Sequence, residues 1–380
     1  MTISGQCIIC REQNIVEFQG AADLPRVTSD CKPFPSGGRL AWCEICGTVQ
    51  VVPDIKWQRD TSLIYEEYEI FHQSDGAEQA VYDTGAEAMI RRSDLLLRRL
   101  CQSTTLPRYG QLLDVGCGNG VTLSAFSRAC PDWTLHGFDL DDRMLTRLRK
   151  IPGFVKLHAG RVNDVSDTFD LITMIHCLEH IPEPVAVLQG LLEKLSSGGK
   201  LFIDVPDASV WDYDLVIADH VVHFDLQTLA IAVESAGFKV TESSDAWSVK
   251  ELSLIAERSR RPALGRRRTA RSQDDVHRQL RWLWNVIEEA HHAAQTSYFG
   301  IFGTSVSAAW LFGSVGEQVE FFVDEDPERI GREFMGRPVL APTDVESHAT
   351  VFLALLPGVA KAIRIRLDGV AGNWILPPPK

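Results

Sequence analysis

The chain has 380 residues, enough for two or three domains. Its hydrophobic share of 45% and charged share of 23% are those of an ordinary globular protein, and a formal net charge of -13 speaks against a nucleic-acid partner. No apolar run reaches bilayer-spanning length, so no membrane association is expected, and "MTISGQCIIC" lacks the basic start and apolar core of a secretion signal. The expected compartment is the reducing cytoplasm, where nine cysteines serve as ligands and core thiols rather than as disulfides.

Two Cys-x-x-Cys pairs come first, Cys7 with Cys10 and Cys43 with Cys46. Each pair lets two thiolates converge on one ion, and two pairs complete a tetrahedral zinc shell. Gly47 suits the tight backbone of such a knuckle. Cys31, in the gap, is a fifth candidate ligand. Neither pair opens a helix after a strand, so a redox pair is disfavoured. A closed four-thiolate shell leaves no open position, which makes the expected zinc structural.

From about Thr84, "TGAEAMIRRSDLLLRRL" has apolar residues at helical spacing. In "YGQLLDVGCGNGVTLSAF", Leu112 and Leu113 begin a buried strand ending at Asp114 and Val115. Gly116, Gly118 and Gly120 make a bare turn, and a helix starts at Val121. Strand, glycine turn and helix form a site for a nucleoside-bearing ligand. The turn starts with an acid, Asp114, which repels a pyrophosphate and suits a cationic group. A second strand, "WTLHGFDL", ends in Asp139, placed for both hydroxyls of a ribose. A third, "GFVKLHAG", leads to Asn163 and Asp164 at an adenine edge. A fourth, "FDLITMIHCLEHI", brings His176 and His180 to the same crevice, and a helix from about Glu183 to Leu195 precedes a fifth, "GGKLFIDVPD". The alternation predicts an α/β fold with a parallel, doubly wound sheet.

"IADHVVHFD" then places Asp219, His220 and His223 before a helix starting near Asp225. "ERSRRPALGRRRTARSQ" carries seven arginines between Arg258 and Arg271 and reads as a solvated tether. Beyond it, Tyr298 to Phe302 is a strand, a helix follows, and "VEFFVD" is a second strand ending in Asp324. This is half of a nucleotide-binding unit whose turn lacks the full glycine fingerprint.

"LLDVGCGNG", "GFDL", "FDLITMIHCLEHIPEP" and "SSGGKLFIDVPD" resemble the successive motifs of class I S-adenosylmethionine-dependent methyltransferases, over about Leu100 to Glu257. With "CIIC…WCEICGTVQ" before them and "YFGIFGTSVSAAWLF…" after, nearly the whole chain resembles the sugar C-methyltransferases that act on nucleotide-linked 4-keto-deoxysugars. The resemblance implies a zinc-binding domain with a substrate-facing segment (1–74), a Rossmann-like methyltransferase domain (75–258), the arginine-rich linker and a helix (259–295), and a C-terminal Rossmann-like domain (296–380). The last would be structural or a wall for the sugar nucleotide; contact of a few linker arginines with a nucleotide diphosphate is the lesser alternative to the tether.

The implied site follows residue by residue. Asp114, Gly116, Gly118, Asp139, Asp164 and His176 bind S-adenosylmethionine, and Cys7, Cys10, Cys43 and Cys46 bind zinc. Asp219 and His220 match the family's acid-histidine pair, with aspartate for the usual glutamate, and His223 and Phe224 replace an aromatic pair. His220 is expected as base or relay, His180 near an enolate, and His223 as a packing residue. Tyr65 and Tyr68 fall where the family's tyrosines reach over the substrate. Ile70 and Ile217 stand where further tyrosines are usual; a phenol donates to an enolate and isoleucine does not. The expected partner is a small molecule, and the expected assembly is a monomer or homodimer. Two rivals stand beside this reading: methylation of a hydroxyl, and a degenerate methyltransferase acting as a binding module. Intact Asp114, Gly116, Gly118 and Asp139 speak against the second.

Overall fold

The computed structural model describes residues 5–68, 78, 80–83, 88–259, 271–295 and 298–380. Ile70 and the linker residues 260–270 lie outside the described residues. At the centre is a seven-stranded sheet. Its order is Phe154–Ala159, Thr134–Asp139, Gln111–Val115, Phe169–Ile175, Leu195–Pro206, Glu251–Arg258 and Phe238–Ser244. The first five run parallel, as the βα alternation predicts. Glu251–Arg258 runs antiparallel to both its neighbours, so the sheet is mixed rather than wholly parallel. The reason is local: Phe238–Ser244 reaches Glu251–Arg258 through a short turn, which can join only antiparallel strands.

The helical pattern expected from Thr84 begins later. Ala88–Arg91 is a strand paired with Ala80–Asp83, and the helix is Arg92–Ser103. It buries Leu95, Leu96, Leu97 and Leu100, the last three in one apolar cluster. Two further helices have sequence-legible starts. Asp225 accepts from the Thr228 amide at 2.7 Å and so caps Leu226–Ser235. Asp54 accepts from the Trp57 amide at 2.9 Å and caps Ile55–Glu66, the helix that carries Tyr65.

The N-terminal part forms a four-stranded sheet in the order Ile15–Glu17, Leu40–Cys43, Val49–Val51 and Val222–His223. Its last strand comes from the middle of the chain. Val222 pairs with Gln50 and His223 with Val49. The cysteine knuckle between Leu40–Cys43 and Val49–Val51 therefore sets the position of the segment that holds Asp219 and His220.

The C-terminal part is a six-stranded sheet, with Phe299–Phe302 between Val319–Val323 and Thr350–Leu353. Its helix Val306–Val315 packs on the N-terminal hairpin of Arg26–Val27 and Pro33–Phe34. Trp310 is fully buried there and donates Nε1 to the Pro25 carbonyl at 2.7 Å. Burying so large a ring stabilises this junction by on the order of 3 kcal/mol. One continuous apolar core joins all three sheets. Among the described residues no helix is long and apolar enough to cross a membrane.

Arg271, at the end of the expected tether, is not a solvated charge. It is 7% exposed and donates to the carbonyls of Ala208 at 3.1 Å and His223 at 3.3 Å, and to Gln279 Oε1 at 2.6 Å. These acceptors come from the loops around Ala208 and His223, 63 and 48 positions away, and they meet only in the folded chain.

Candidate active site

The cysteine pairs converge. Cys7 Sγ lies 3.5 Å from Cys46 Sγ, and Cys10 Sγ lies 3.6 Å from Cys43 Sγ. A tetrahedral zinc with bonds of about 2.3 Å separates its sulfurs by about 3.8 Å, so the four thiols fit that ion. The turns are alike. Gly47 (φ 76°) donates its amide to the Cys43 carbonyl at 2.8 Å, and Arg11 (φ 63°) donates to the Cys7 carbonyl at 3.0 Å. Gly47 adopts this conformation freely, while Arg11 adopts it against its side chain. Cys31 is not part of the group; it sits in the turn from Thr28 to Lys32.

The glycine turn follows Gln111–Val115. A Cβ on Gly116 (φ 72°) would meet Cys177 Sγ at 2.7 Å, so only glycine fits. Asp139 accepts from the Gly118 amide at 2.7 Å and from the Leu140 amide at 2.8 Å. It thus braces the turn as well as facing outward at half exposure. Asp164 is exposed on the turn Val162–Asp164, whereas Asn163 rests against Gly190. Asp114 is 2% exposed and accepts from Thr173 Oγ1 at 2.6 Å. Burial pushes its carboxyl up to about 7, against the hydrogen bond from Thr173, so its charge is weaker than the sequence suggests.

His176 occupies a left-handed conformation (φ 49°) at the end of Phe169–Ile175. Its Nε2 lies 2.9 Å from Arg92 Nη1 and 3.1 Å from Glu251 Oε1. That nitrogen accepts from the first or donates to the second, not both. A charged cluster therefore orients the loop that carries Cys177 against the glycine turn.

Two imidazoles stand beyond this loop, each with Nδ1 on a buried aspartate. His180 Nδ1 is 3.3 Å from Asp219 Oδ2 and 3.2 Å from the Asp219 carbonyl. His220 Nδ1 is 2.8 Å from Asp214 Oδ1. The rings meet edge to face at 4.6 Å. Asp214 also holds His223 Nδ1 at 2.7 Å. His223 is thus a hydrogen-bonding partner of Asp214 as well as a buried residue. Tyr65 lies 6.4 Å from the His180 ring and 5.8 Å from that of Tyr68. His180 keeps 15% of its side chain exposed and fronts this tyrosine pair, while His220 stands behind it with 3%.

Burial by itself raises the Asp219 carboxyl, but the hydrogen bond and charge of His180, with a bond from Ser29, bring it down to about 2. Burial lowers the pKa of His180, and Asp219 overrides this and raises it above its ordinary value. Burial is likewise overridden at Asp214, whose carboxyl is held below the usual range by His220 and His223.

Three of these residues were missed from sequence. Ser29 donates its amide to Asp219 Oδ1 at 2.9 Å and its hydroxyl to Asp219 Oδ2 at 2.5 Å. Its Oγ also lies 3.2 Å from the Tyr68 hydroxyl. A serine 190 positions away leaves no local signal. Asp214 sits six residues before His220, a spacing with no periodic meaning outside a helix. Glu179, in the "LEH" triplet, is 1% exposed, with oxygen Oε1 3.5 Å from His176 Nδ1 and 3.9 Å from His180 Nε2. Ile217, where a phenol is usual, is 3% exposed and bridges to Val27 in the core.

This strand order, with a glycine turn after the first parallel strand and an acid closing the second, is that of a class I S-adenosylmethionine-dependent methyltransferase fold. Residues 86–243 match the family model for a methyltransferase domain. A ubiquinone biosynthesis O-methyltransferase of Idiomarina loihiensis is 30% identical over 126 residues, covering 30% of this chain and 49% of that protein. A trans-aconitate 2-methyltransferase of Deinococcus radiodurans is 30% identical over 100 residues, covering 26% of this chain and 38% of the other. The chain thus spans half or less of the length of these relatives. A solved methyltransferase from Clostridium acetobutylicum aligns over 53% of this chain and 97% of its own, at 12% identity and TM-score 0.35.

Proposed function

We propose that the protein is an S-adenosylmethionine-dependent methyltransferase of a small molecule, and that it methylates carbon beside the ketone of a nucleotide-activated sugar. The carrying observation is the pair of imidazoles, His180 and His220, each with Nδ1 on a buried aspartate beside two tyrosines. Methylating carbon requires removing a proton next to a carbonyl, so the site must hold that proton and stabilise an enolate oxygen.

The Gly116–Gly118 turn, Asp139 and Asp164 would hold the cofactor, with His176 shaping the adjoining loop. When bound, S-adenosylmethionine supplies an electrophilic methyl. The chain's own groups manage the proton. Asp219 and Asp214 hold Nδ1–H on His180 and His220, leaving each Nε2 lone pair as acceptor. The raised pKa of His180 favours its imidazolium, so it is a stable seat for the abstracted proton. His220, buried behind it, serves as relay. Tyr65 offers its phenol to the enolate oxygen, and Tyr68 would do so on releasing its contact with Ser29, which is itself held by Asp219. The four thiolates of Cys7, Cys10, Cys43 and Cys46 would hold a structural zinc that fixes the sheet carrying Val222 and His223. The domain limits 1–74, 75–258, 259–295 and 296–380 belong to this proposal.

Methylation of a hydroxyl is the second reading. It is favoured by Ile217, which lies in the core where a phenol would serve an enolate, and by relatives named as O-methyltransferases. Mass spectrometry in heavy water separates the two, using nucleotide-linked 4-keto sugars with and without S-adenosylmethionine. Enzyme-dependent deuterium uptake without cofactor and a carbon-bound methyl with it support enolate chemistry. A methyl on oxygen, without deuterium uptake, moves the assignment to the second reading.

A further inference from the structure

Away from the imidazole pair just described, His136, His158 and Asp167 bring one ligating atom each within 4.8 Å of one another. His136 lies on Thr134–Asp139, and His158 lies on the neighbouring edge strand Phe154–Ala159. Asp167 is on the loop that enters Phe169–Ile175. His136 Nδ1 is 3.2 Å from His158 Nε2, and Asp167 Oδ2 is 3.8 Å from the same His158 nitrogen. A tetrahedral ion with bonds of about 2.05 Å places its nitrogens about 3.3 Å apart. The imidazole pair is at that spacing already, and the carboxylate needs to close on His158 by about half an ångström while lying within 4.8 Å of His136. A hydrogen bond between the rings does not explain Asp167, which is too far from His158 to share one.

The site is built rather than incidental. Both histidines are buried, at 4% and 7% exposure, and their rings lie 16° from parallel. Phe169, fully buried, packs edge-on against each at 5.2 and 6.4 Å and limits their rotation. Asp167 is half-exposed and leaves a way in from solvent. The competing cation is Lys156, whose Nζ lies 3.8 Å from Asp167 Oδ2; its side chain is 53% exposed and free to swing outward.

We infer that His136, His158 and Asp167 form a binding site for a divalent transition-metal ion of the zinc type, with water completing the shell. Imidazole nitrogens with one carboxylate suit such ions over magnesium or calcium. A bound ion ties the edge strand and its neighbour to the loop between the Val162–Asp164 turn and Phe169. The edge strand is otherwise paired on one side only.

The test is equilibrium dialysis of the full-length protein against Zn²⁺ with elemental mass spectrometry, comparing wild type with His158→Asn, Asp167→Asn, Lys156→Met and His180→Ala. Wild type is expected to bind one ion more than His158→Asn. Asp167→Asn is expected to weaken that ion by more than about tenfold, since even an outer-sphere partner is worth that much. Lys156→Met is expected to tighten it. Cys43→Ser removes a different equivalent, so a failure of the thiolate site is distinguishable. Equal stoichiometry in wild type, His158→Asn and Asp167→Asn overturns the inference. So does an extra ion lost in His180→Ala and kept in Asp167→Asn. If His158→Asn does not fold, Asp167→Asn decides alone, because it alters a half-exposed loop side chain.

Discussion

Asp219→Asn tests whether Asp219 and His180 form an ion pair. The substitution keeps the shape. Asparagine Oδ1 still accepts from the Ser29 amide, which now lies 2.9 Å from Asp219 Oδ1. What is lost is the charge facing His180 Nδ1, together with the Oδ2 acceptor of the Ser29 hydroxyl, where an NH2 donor now stands. In the folded protein the carboxyl falls from its ordinary 3.8 to about 2, which corresponds to about 2 kcal/mol of stability. Because that pKa is depressed, the contribution is present above the unfolded value and is lost as pH falls towards 2. His180 is raised above its ordinary 6.5, so its share is present below 6.5 and is lost as pH rises through the folded value. These are two views of one interaction. The melting-temperature difference between wild type and Asp219→Asn is therefore expected to peak between about pH 4 and 6.5 and to shrink on either side. In turnover, the limb due to His180 is expected to move to lower pH. A difference that is flat with pH, or largest above pH 8, would refute the ion pair.

Asp139→Ala removes the acceptor of the Gly118 amide and the expected ribose partner; cofactor affinity by calorimetry should fall at least about tenfold, and unchanged affinity would show that the second strand does not end at the cofactor. Asp214→Asn offers one amide oxygen to two imidazoles, His220 and His223, so one of them must turn or go unpaired; turnover should fall by about a hundredfold or more with cofactor affinity retained. Normal turnover would separate His220 from the chemistry. Arg271→Met strips donors from two carbonyls and Gln279 and should cost about 2–4 kcal/mol in denaturant unfolding; a neutral result would mark those bonds as replaceable by water. Cys43→Ser should abolish metal retention on dialysis and lower the melting temperature, and a metal-free wild type with the same stability would end the zinc reading.

Much of the fold was legible because it is written in local pattern. The strand, bare glycine turn and helix from Gln111 to Ala129 need only apolar runs and residues that tolerate positive φ. Asp139, twenty-one residues past Gly118, follows from the length of one helix and one returning strand. Each Cys-x-x-Cys turn is short-range too, whereas the contacts that close the cluster, Cys7 with Cys46 and Cys10 with Cys43, span 39 and 33 positions. The start of the helix at Arg92 was misplaced because strand pairing of Ala88–Arg91 with Ala80–Asp83 overrides a helical spacing of apolar residues.

What the sequence alone determined, then, is the presence of a thiolate cluster, a glycine turn closed by an acid, and histidines after the fourth strand. The tertiary structure decided their relations. It placed Ser29 on Asp219, set Asp214 between His220 and His223, and paired Val222–His223 with the knuckle sheet. It also buried Ile217 in the core and turned Arg271 from a linker charge into an internal donor. The physical reason is range. Dihedral preference and periodicity act over a few residues, whereas a carboxylate's charge and hydrogen bonds are fixed by whatever chain arrives beside it, and that is decided only when the core closes.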